Sequence, residues 1–354
     1  MAITKLVRID KFHKNEAAIQ EAGRLLADGG LVAFPTETVY GLGANGLDAE
    51  AAARIYAAKG RPSDNPLILH IAAMEELYPL VAEVPETARI LAEAFWPGPM
   101  TLVLKKSGRV PGGTTGGLDT VAVRMPSHPV ARQVIQAAGV PIAAPSANTS
   151  GRPSPTKAIH VLEDMDGKID MVIDGGDVGI GLESTIIDVS EGTPVLLRPG
   201  YITEEMVEQL MGPMAVDPAV KGQIPPDIRP KAPGMKYRHY APKAELTVFL
   251  GPPVAVCGAI EKALLEAKAQ GKRAGVLCTE ESEAFYQAPV KKCAGRRNEP
   301  ESVARSLYDV LRAFDKEQVD CIFSESFEDL PLSGAIMNRL LKAAGYRTVV
   351  CGRI

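Results

Sequence analysis

LVAFPTETVYGLGANGLDAEAAARIYAAKGRPSDNPLILHI, residues 31–71, decides the fold class. Leu31 to Phe34 is a short apolar run directly after the Gly29-Gly30 pair and reads as a buried strand. Asp48 to Lys59 is alanine-rich with helical spacing, and Asp48 is placed to cap it. Leu67 to Ile71 is a second apolar strand. Alternating strand-like and helix-like runs are the pattern of an α/β sheet.

Outward from this stretch the pattern continues. Lys14 to Leu26 has helical spacing and stops at Gly29-Gly30. Met100 to Leu104, Thr120 to Arg124, Ile142 to Ala144, Met171 to Asp174, Ser184 to Val189 and Val195 to Arg198 read as short strands between Pro and Gly clusters. So much strand, with hairpin-like spacing towards the end, predicts a mixed sheet. Texture changes from about Met211 to Pro242, a proline-rich stretch without periodicity that contains APGMKYRHYAP at 232–242. Composition alone reads that stretch equally well as a solvated tether. Beyond it, Leu246 to Leu250, Ala274 to Cys278 and Cys321 to Ser324 read as strands. Helices at Val256 to Ala269, Ser302 to Phe314 and Gly334 to Ala344 separate them, which predicts a smaller three-layer, Rossmann-like α/β domain with a parallel sheet. The expected division is 1–210, a linker at 211–243, and 244–354.

Bulk properties narrow the function. A chain of 354 residues is long for one core, and its formal charge of −4 argues against stable nucleic-acid binding. No run is long and apolar enough to span a bilayer, and MAITKLVRIDKFHKNE has neither the hydrophobic centre nor the cleavage site of a secretory signal. The cysteines (Cys257, Cys278, Cys293, Cys321 and Cys351) form no CxxC pair and read as free thiols of a reducing compartment. These features predict a cytoplasmic protein without a metal site of its own.

The chemistry-bearing candidates are scattered. Gly41-Leu-Gly43-Ala-Asn-Gly46 formally matches GxGxxG, but PTETVY separates it from the strand end and no acidic residue follows at the expected place, so the glycines read as a turn between strand and helix. There is no Walker A sequence. Lys59-Gly-Arg61-Pro-Ser-Asp-Asn65-Pro combines a point charge, a planar fork and an amide on a stiff turn, which suits an oxyanion; as a solvated helix end it would need only to complement the dipole. His70 follows on the next strand, where a buried structural histidine is the simpler reading. Ala144-Pro-Ser146-Ala-Asn148-Thr-Ser150-Gly151-Arg-Pro-Ser154 offers small hydroxyls and amides after a strand. Arg124 and Arg198 each end an apolar strand, and Ser184-Thr185 begin one.

Taken in order, PTETVYGLG (35–43), KGRPSDNPLILHI (59–71), WPGPMTLVL (96–104), VAVRMP (121–126), APSANTSG (144–151), ESTIID (183–188) and LLRPG (196–200) resemble the threonylcarbamoyl-AMP synthase family. APGMKYRHYAP and the α/β tail resemble the linker and second domain of its long form; Ala232 departs from the commoner serine. The resemblance implies a YrdC-like twisted mixed sheet bent around a concave basic pocket. It implies that Thr38, His70, Arg124, Ala144 and Ser184 hold L-threonine. It further implies that Arg61, Asn65, Thr120, Ser146, Asn148, Ser154, Arg198 and Tyr237 serve ATP, with Lys59 and Arg61 at the phosphates and Tyr237 reaching back from the linker. The implied reaction joins L-threonine, bicarbonate or CO2, and ATP accompanied by Mg2+. Its product would pass to a tRNA threonylcarbamoyl transferase for threonylcarbamoyladenosine (t6A) modification of tRNA.

The alternatives are an RNA-binding module, disfavoured by the acidic charge, and a carbamoyl-transfer protein with a related domain, disfavoured because no cysteine precedes Cys257. A nicotinamide-binding oxidoreductase would rest on GLGANG alone.

Overall fold

A computed structural model describes residues 3–9, 15–220, 222, 230–233, 239–328 and 330–352. The contacts divide the chain into two compact units. The first comprises 1–150, 154–179 and 183–237; the second comprises 238–354 together with 151–153 and 180–182.

In the first unit, β1 (Lys5–Arg8), α1 (Glu16–Ala27), β2 (Val32–Pro35), β3 (Tyr40–Asn45), α2 (Ala49–Lys59) and β4 (Ile68–His70) come first. α3 (Glu86–Phe95), β5 (Met100–Lys105), β6 (Thr120–Arg124), α4 (Pro129–Ala138), β7 (Ile142–Ala143) and α5 (Ala158–Met165) follow. β8 (Met171–Asp174), β9 (Thr185–Asp188), β10 (Val195–Arg198), α6 (Glu204–Met211) and β11 (Ala215–Val216) complete it. The strands form one mixed eleven-stranded sheet in the order β1-β8-β2-β3-β7-β4-β6-β5-β9-β10-β11. The expected helix from Lys14 begins at Glu16, and Lys14 itself lies outside the described residues.

Period-two alternation explains the layering. Val32 and Phe34 of β2 face the cluster beneath α1 and α4, with Ala22, Leu26 and Ile135. Ala33 faces the opposite cluster, with Ile55 of α2, Leu91 of α3 and Val161 of α5. α2 starts where the Asp48 carboxylate accepts from Glu50 N at 2.8 Å and ends at Gly60, whose φ of 61° is the left-handed turn glycine supplies without strain.

One expectation is overturned. GLGANG is not a strand-to-helix turn: Gly41 and Gly43 lie inside β3, which pairs antiparallel with β2 and β7. A Cβ on Gly43 would stand 2.7 Å from Phe34 Cε1 and 2.9 Å from Ile142 Cγ2, so the position is glycine because its neighbours fill the space.

The linker is more than a tether where it is described. Ala232 is fully buried, in a cluster with Ile68, Ala122, Ile186 and Leu197, and Lys231 pairs with Asp188 at 3.2 Å. A serine there would bring a hydroxyl into apolar surroundings; Ala232 brings none.

The second unit is a five-stranded parallel sheet. Its elements are β12 (Glu245–Leu250), α7 (Pro253–Ala269), β13 (Ala274–Cys278), β14 (Val290–Cys293), α8 (Pro300–Glu317), β15 (Cys321–Glu325), α9 (Ser333–Ala343) and β16 (Thr348–Val350). Val256, Ile260 and Leu264 of α7 pack against Phe249, Val276 and Cys278. A Cβ on Gly275 would meet Phe314 of α8 at 2.5 Å, on the other face, so helices cover both sides. Within this unit Arg312, 1% exposed, donates to Pro153 O from Nε (3.1 Å) and Nη2 (2.6 Å). All five cysteines are free, and no described helix is long and apolar enough to cross a membrane.

Candidate functional site

The parallel register of β4 with β6 sets His70 beside Arg124. Arg124 is a hub. Its Nη2 donates to Glu37 Oε1 at 2.6 Å, its Nη1 to Thr38 Oγ1 at 2.9 Å and its Nε to Gly98 O at 3.3 Å. Both side chains of the ion pair are largely buried, at 5% and 13% exposure, so removing either would strand a charge in a poorly solvated place. Burial by itself would raise the Glu37 carboxyl, but the charge and hydrogen bond of Arg124, with the amides of Glu37 and Ser127, hold it below its ordinary value. Burial, with the neighbouring Arg124 charge, pushes His70 down to about 3. The imidazole is therefore neutral at pH 7. Its Nδ1 lies 3.2 Å from Ile68 O, and a neutral ring bonds there only by donating its Nδ1 proton.

Thr38 is placed by the turn between β2 and β3. Thr36 gives its hydroxyl proton to Val39 O (2.7 Å) and accepts from the amides of Thr38 and Val39. The two hydroxyl oxygens lie 2.8 Å apart, which ties Thr38 to the same turn.

The 144–150 loop is bound on both sides. Ala144 N donates to Ile68 O, Leu42 N to Pro145 O, and Ser146 bridges to Gly41. The buried Lys59 ammonium donates to Ser146 O and, at 2.6 Å, to Asn148 O, so Lys59 shapes the loop that carries both residues. Arg61 Nη2 donates to Pro66 O (3.0 Å) and Asn65 O (3.3 Å), folding the guanidinium over its own turn. Asn65 is 1% exposed, and its Oδ1 has no hydrogen-bond partner among the described residues. Thr120 begins β6, two residues before Ala122, the partner of Ile68, and so lies towards the end of β4 that this turn enters. It is about 13 Å along the strand from Arg124.

The last group joins β5, β9 and β10. Arg198 donates from Nε to Ser184 O and from Nη2 to Ser184 Oγ, both at 3.1 Å, and from Nη1 to Pro233 O at 3.2 Å. Ser184 Oγ also lies 2.8 Å from Thr101 Oγ1. The antiparallel register of β5 with β6 continues to set Thr101 level with Arg124, tying this group to the His70 group. Ser154 donates to Glu183 Oε1 at 2.5 Å.

Thr38, His70 and Arg124 are thus gathered at one end of β4 and β6, and Arg61, Asn65 and Thr120 at the other. Ala144, Ser146 and Asn148 lie on the loop alongside, held by Lys59 of α2, while Ser184, Arg198 and Ser154 lie across β5 and β9. Tyr237 lies outside the described residues. Sequence reasoning did not single out Glu37, Thr101 or Glu183, although each lies inside a quoted motif. Their signal was a polar residue in a strand or in the turn leading to one, which shows its meaning only once its partner is known.

Residues 24–200 match the model of the Sua5, YciO and YrdC domain family, described as telomere recombination, which sets the class of the first unit. Residues 202–345 match the threonylcarbamoyl-AMP synthase C-terminal domain. A threonylcarbamoyl-AMP synthase of Bacillus subtilis is 50% identical over 341 residues, covering 96% of each chain. One of Pyrococcus abyssi is 51% identical over 337 residues, covering 94% of this chain and 96% of its own. The crystal structure of P. abyssi Sua5 complexed with L-threonine matches with a TM-score of 0.93 and 50% identity, over 98% of this chain and 99% of that one. The chain belongs to the threonylcarbamoyl-AMP synthase family, in its two-domain form, and is an enzyme.

Proposed function

We propose that the first unit makes threonylcarbamoyl-AMP and pyrophosphate from L-threonine, bicarbonate or CO2, and ATP. The observation that carries this reading is the Arg124 hub, which joins Thr38 and Glu37 and stands beside a neutral His70. A guanidinium with hydroxyls around it suits the carboxylate of an amino acid. The neutral imidazole suits a hydrogen-bonding group without adding a second charge.

In the proposed reaction the neutral amine of threonine adds to CO2, or to bicarbonate with loss of water, and gives up a proton to solvent, leaving a carbamate. A carbamate oxygen then attacks the α-phosphorus of ATP, and pyrophosphate leaves. The substrates supply nucleophile and leaving group, so the enzyme's task is positioning and charge stabilisation. ATP and the carbamate bring roughly six negative charges, and Mg2+ would enter on the ATP phosphates, neutralising about two. Arg61 and Arg198 would face the nucleotide, with Asn65, Thr120, Ser146 and Ser154 around it. Lys59 and Asn148 would keep the 144–150 loop in shape. His70, Thr38, Ala144 and Ser184 would complete the threonine site around Arg124.

The adenylate would serve t6A modification of tRNA through a separate transferase, in the cytoplasm. Incubation with threonine, ATP, Mg2+ and isotopically labelled bicarbonate tests the reading. A labelled species with the mass of threonylcarbamoyl-AMP is expected, and label confined to bicarbonate would refute it.

A further inference from the structure

Thr101 and Ser184 hold two hydroxyl protons, and the single 2.8 Å bond between their oxygens uses one of them. Ser184 Oγ already accepts from Arg198 Nη2, a group that only donates. Thr101 has no other side-chain partner among the described residues and is 0% exposed; Ser184 is 1% exposed. One hydroxyl proton is therefore left without a protein acceptor in a water-poor place, at a cost of about 1–3 kcal/mol until something accepts it.

The position of the two residues limits which of the protons a ligand could accept. Thr101 is enclosed within β5, between β6 and β9. Ser184 stands just before β9, bracketed by Arg198. If Thr101 donates, the two lone pairs of Ser184 are filled by Thr101 and Arg198, and Ser184 can act only as a donor.

We infer that Thr101 is a positioning residue for the amino-acid substrate: its hydroxyl fixes Ser184 as a hydrogen-bond donor to an acceptor on threonine, the carboxylate being the strongest available. This rests on the threonine site proposed above. The role differs from that of Arg124, which supplies charge; Thr101 sets the direction in which an uncharged donor points.

Thr101→Val keeps the β-branched shape suited to a strand and removes only the hydroxyl. The test is steady-state pyrophosphate release by the full chain, with threonine and ATP varied separately, for wild type, Thr101→Val, Thr101→Ala and Thr101→Ser. The expected result is a threonine KM raised about three- to tenfold in the valine and alanine variants. The ATP KM should stay within about twofold, and serine should restore the wild-type value. Binding of threoninol, which lacks the carboxylate, should be the same in wild type and Thr101→Val, so the preference for threonine over threoninol narrows. An unchanged threonine KM, an equal rise in both KM values, or a failure of serine to restore would each overturn the role of Thr101. Wild-type release that does not depend on threonine would instead overturn the threonine site itself, and the inference with it.

Discussion

His70 shows how strongly this fold fixes the state of one side chain. Burial and the nearby Arg124 bring it from an ordinary 6.5 to about 3. As pH falls below 6.5 the unfolded chain takes up a proton that the folded chain refuses until about 3. Its contribution to stability is therefore whole above 6.5 and drains away towards 3, by as much as about 1.4 kcal/mol per pH unit. Glu37 is shifted the same way but from 4.5, so its effect falls in more acidic solution and the two can be separated. Urea unfolding of wild type and His70→Gln between pH 7 and 4.5 checks this: the stability gap between them should narrow as pH falls. Parallel curves would mean that His70 is not held neutral. The histidine was legible in LILHI as a residue of a strand, but its state was not. That depends first on burial and then on Arg124, 54 positions away and brought alongside only by the register of β4 with β6.

At the level of the element, β3 is instructive. Alternation of apolar and polar residues is what reveals a strand from sequence, and in YGLGAN the glycines erase it. The information lay in tertiary packing: Phe34 and Ile142 occupy the space where a Gly43 side chain would go. Gly43→Ala should cost about 1–3 kcal/mol through overpacking, measured as a lowered urea midpoint. An unchanged midpoint would mean that the neighbours yield freely and that the strand glycine has another cause. By contrast, β6 and β13 were legible to the residue, because each is an apolar run with clear punctuation at both ends. The edge strands β11 and β16 were not, being short and mostly exposed.

For the whole molecule, the division into units does not follow the order of the sequence. Residues 151–153 and 180–182 are separated from the rest of the second unit by long stretches of chain, and nothing in GRP or IGL announces where they belong. Arg312 makes the assignment concrete for the first of these stretches, since its Nε and Nη2 both donate to Pro153 O. Arg312→Ala should destabilise the second unit by about 2–4 kcal/mol, as the loss of buried charge-assisted bonds does. Amide exchange at Gly151 and Arg152 should rise with it, and exchange as slow as in wild type would show that other contacts hold the stretch. The cations and hydroxyls of the candidate site stood out in the sequence as motifs in family order, whereas the bonds that orient them, Thr101 to Ser184 and Ser154 to Glu183, span 83 and 29 residues and did not. The central claim is that adenylate formation needs the amino acid, and pyrophosphate release with ATP, threonine or bicarbonate omitted in turn tests it most directly. Release should collapse to background in all three omissions; undiminished release without threonine would contradict the account.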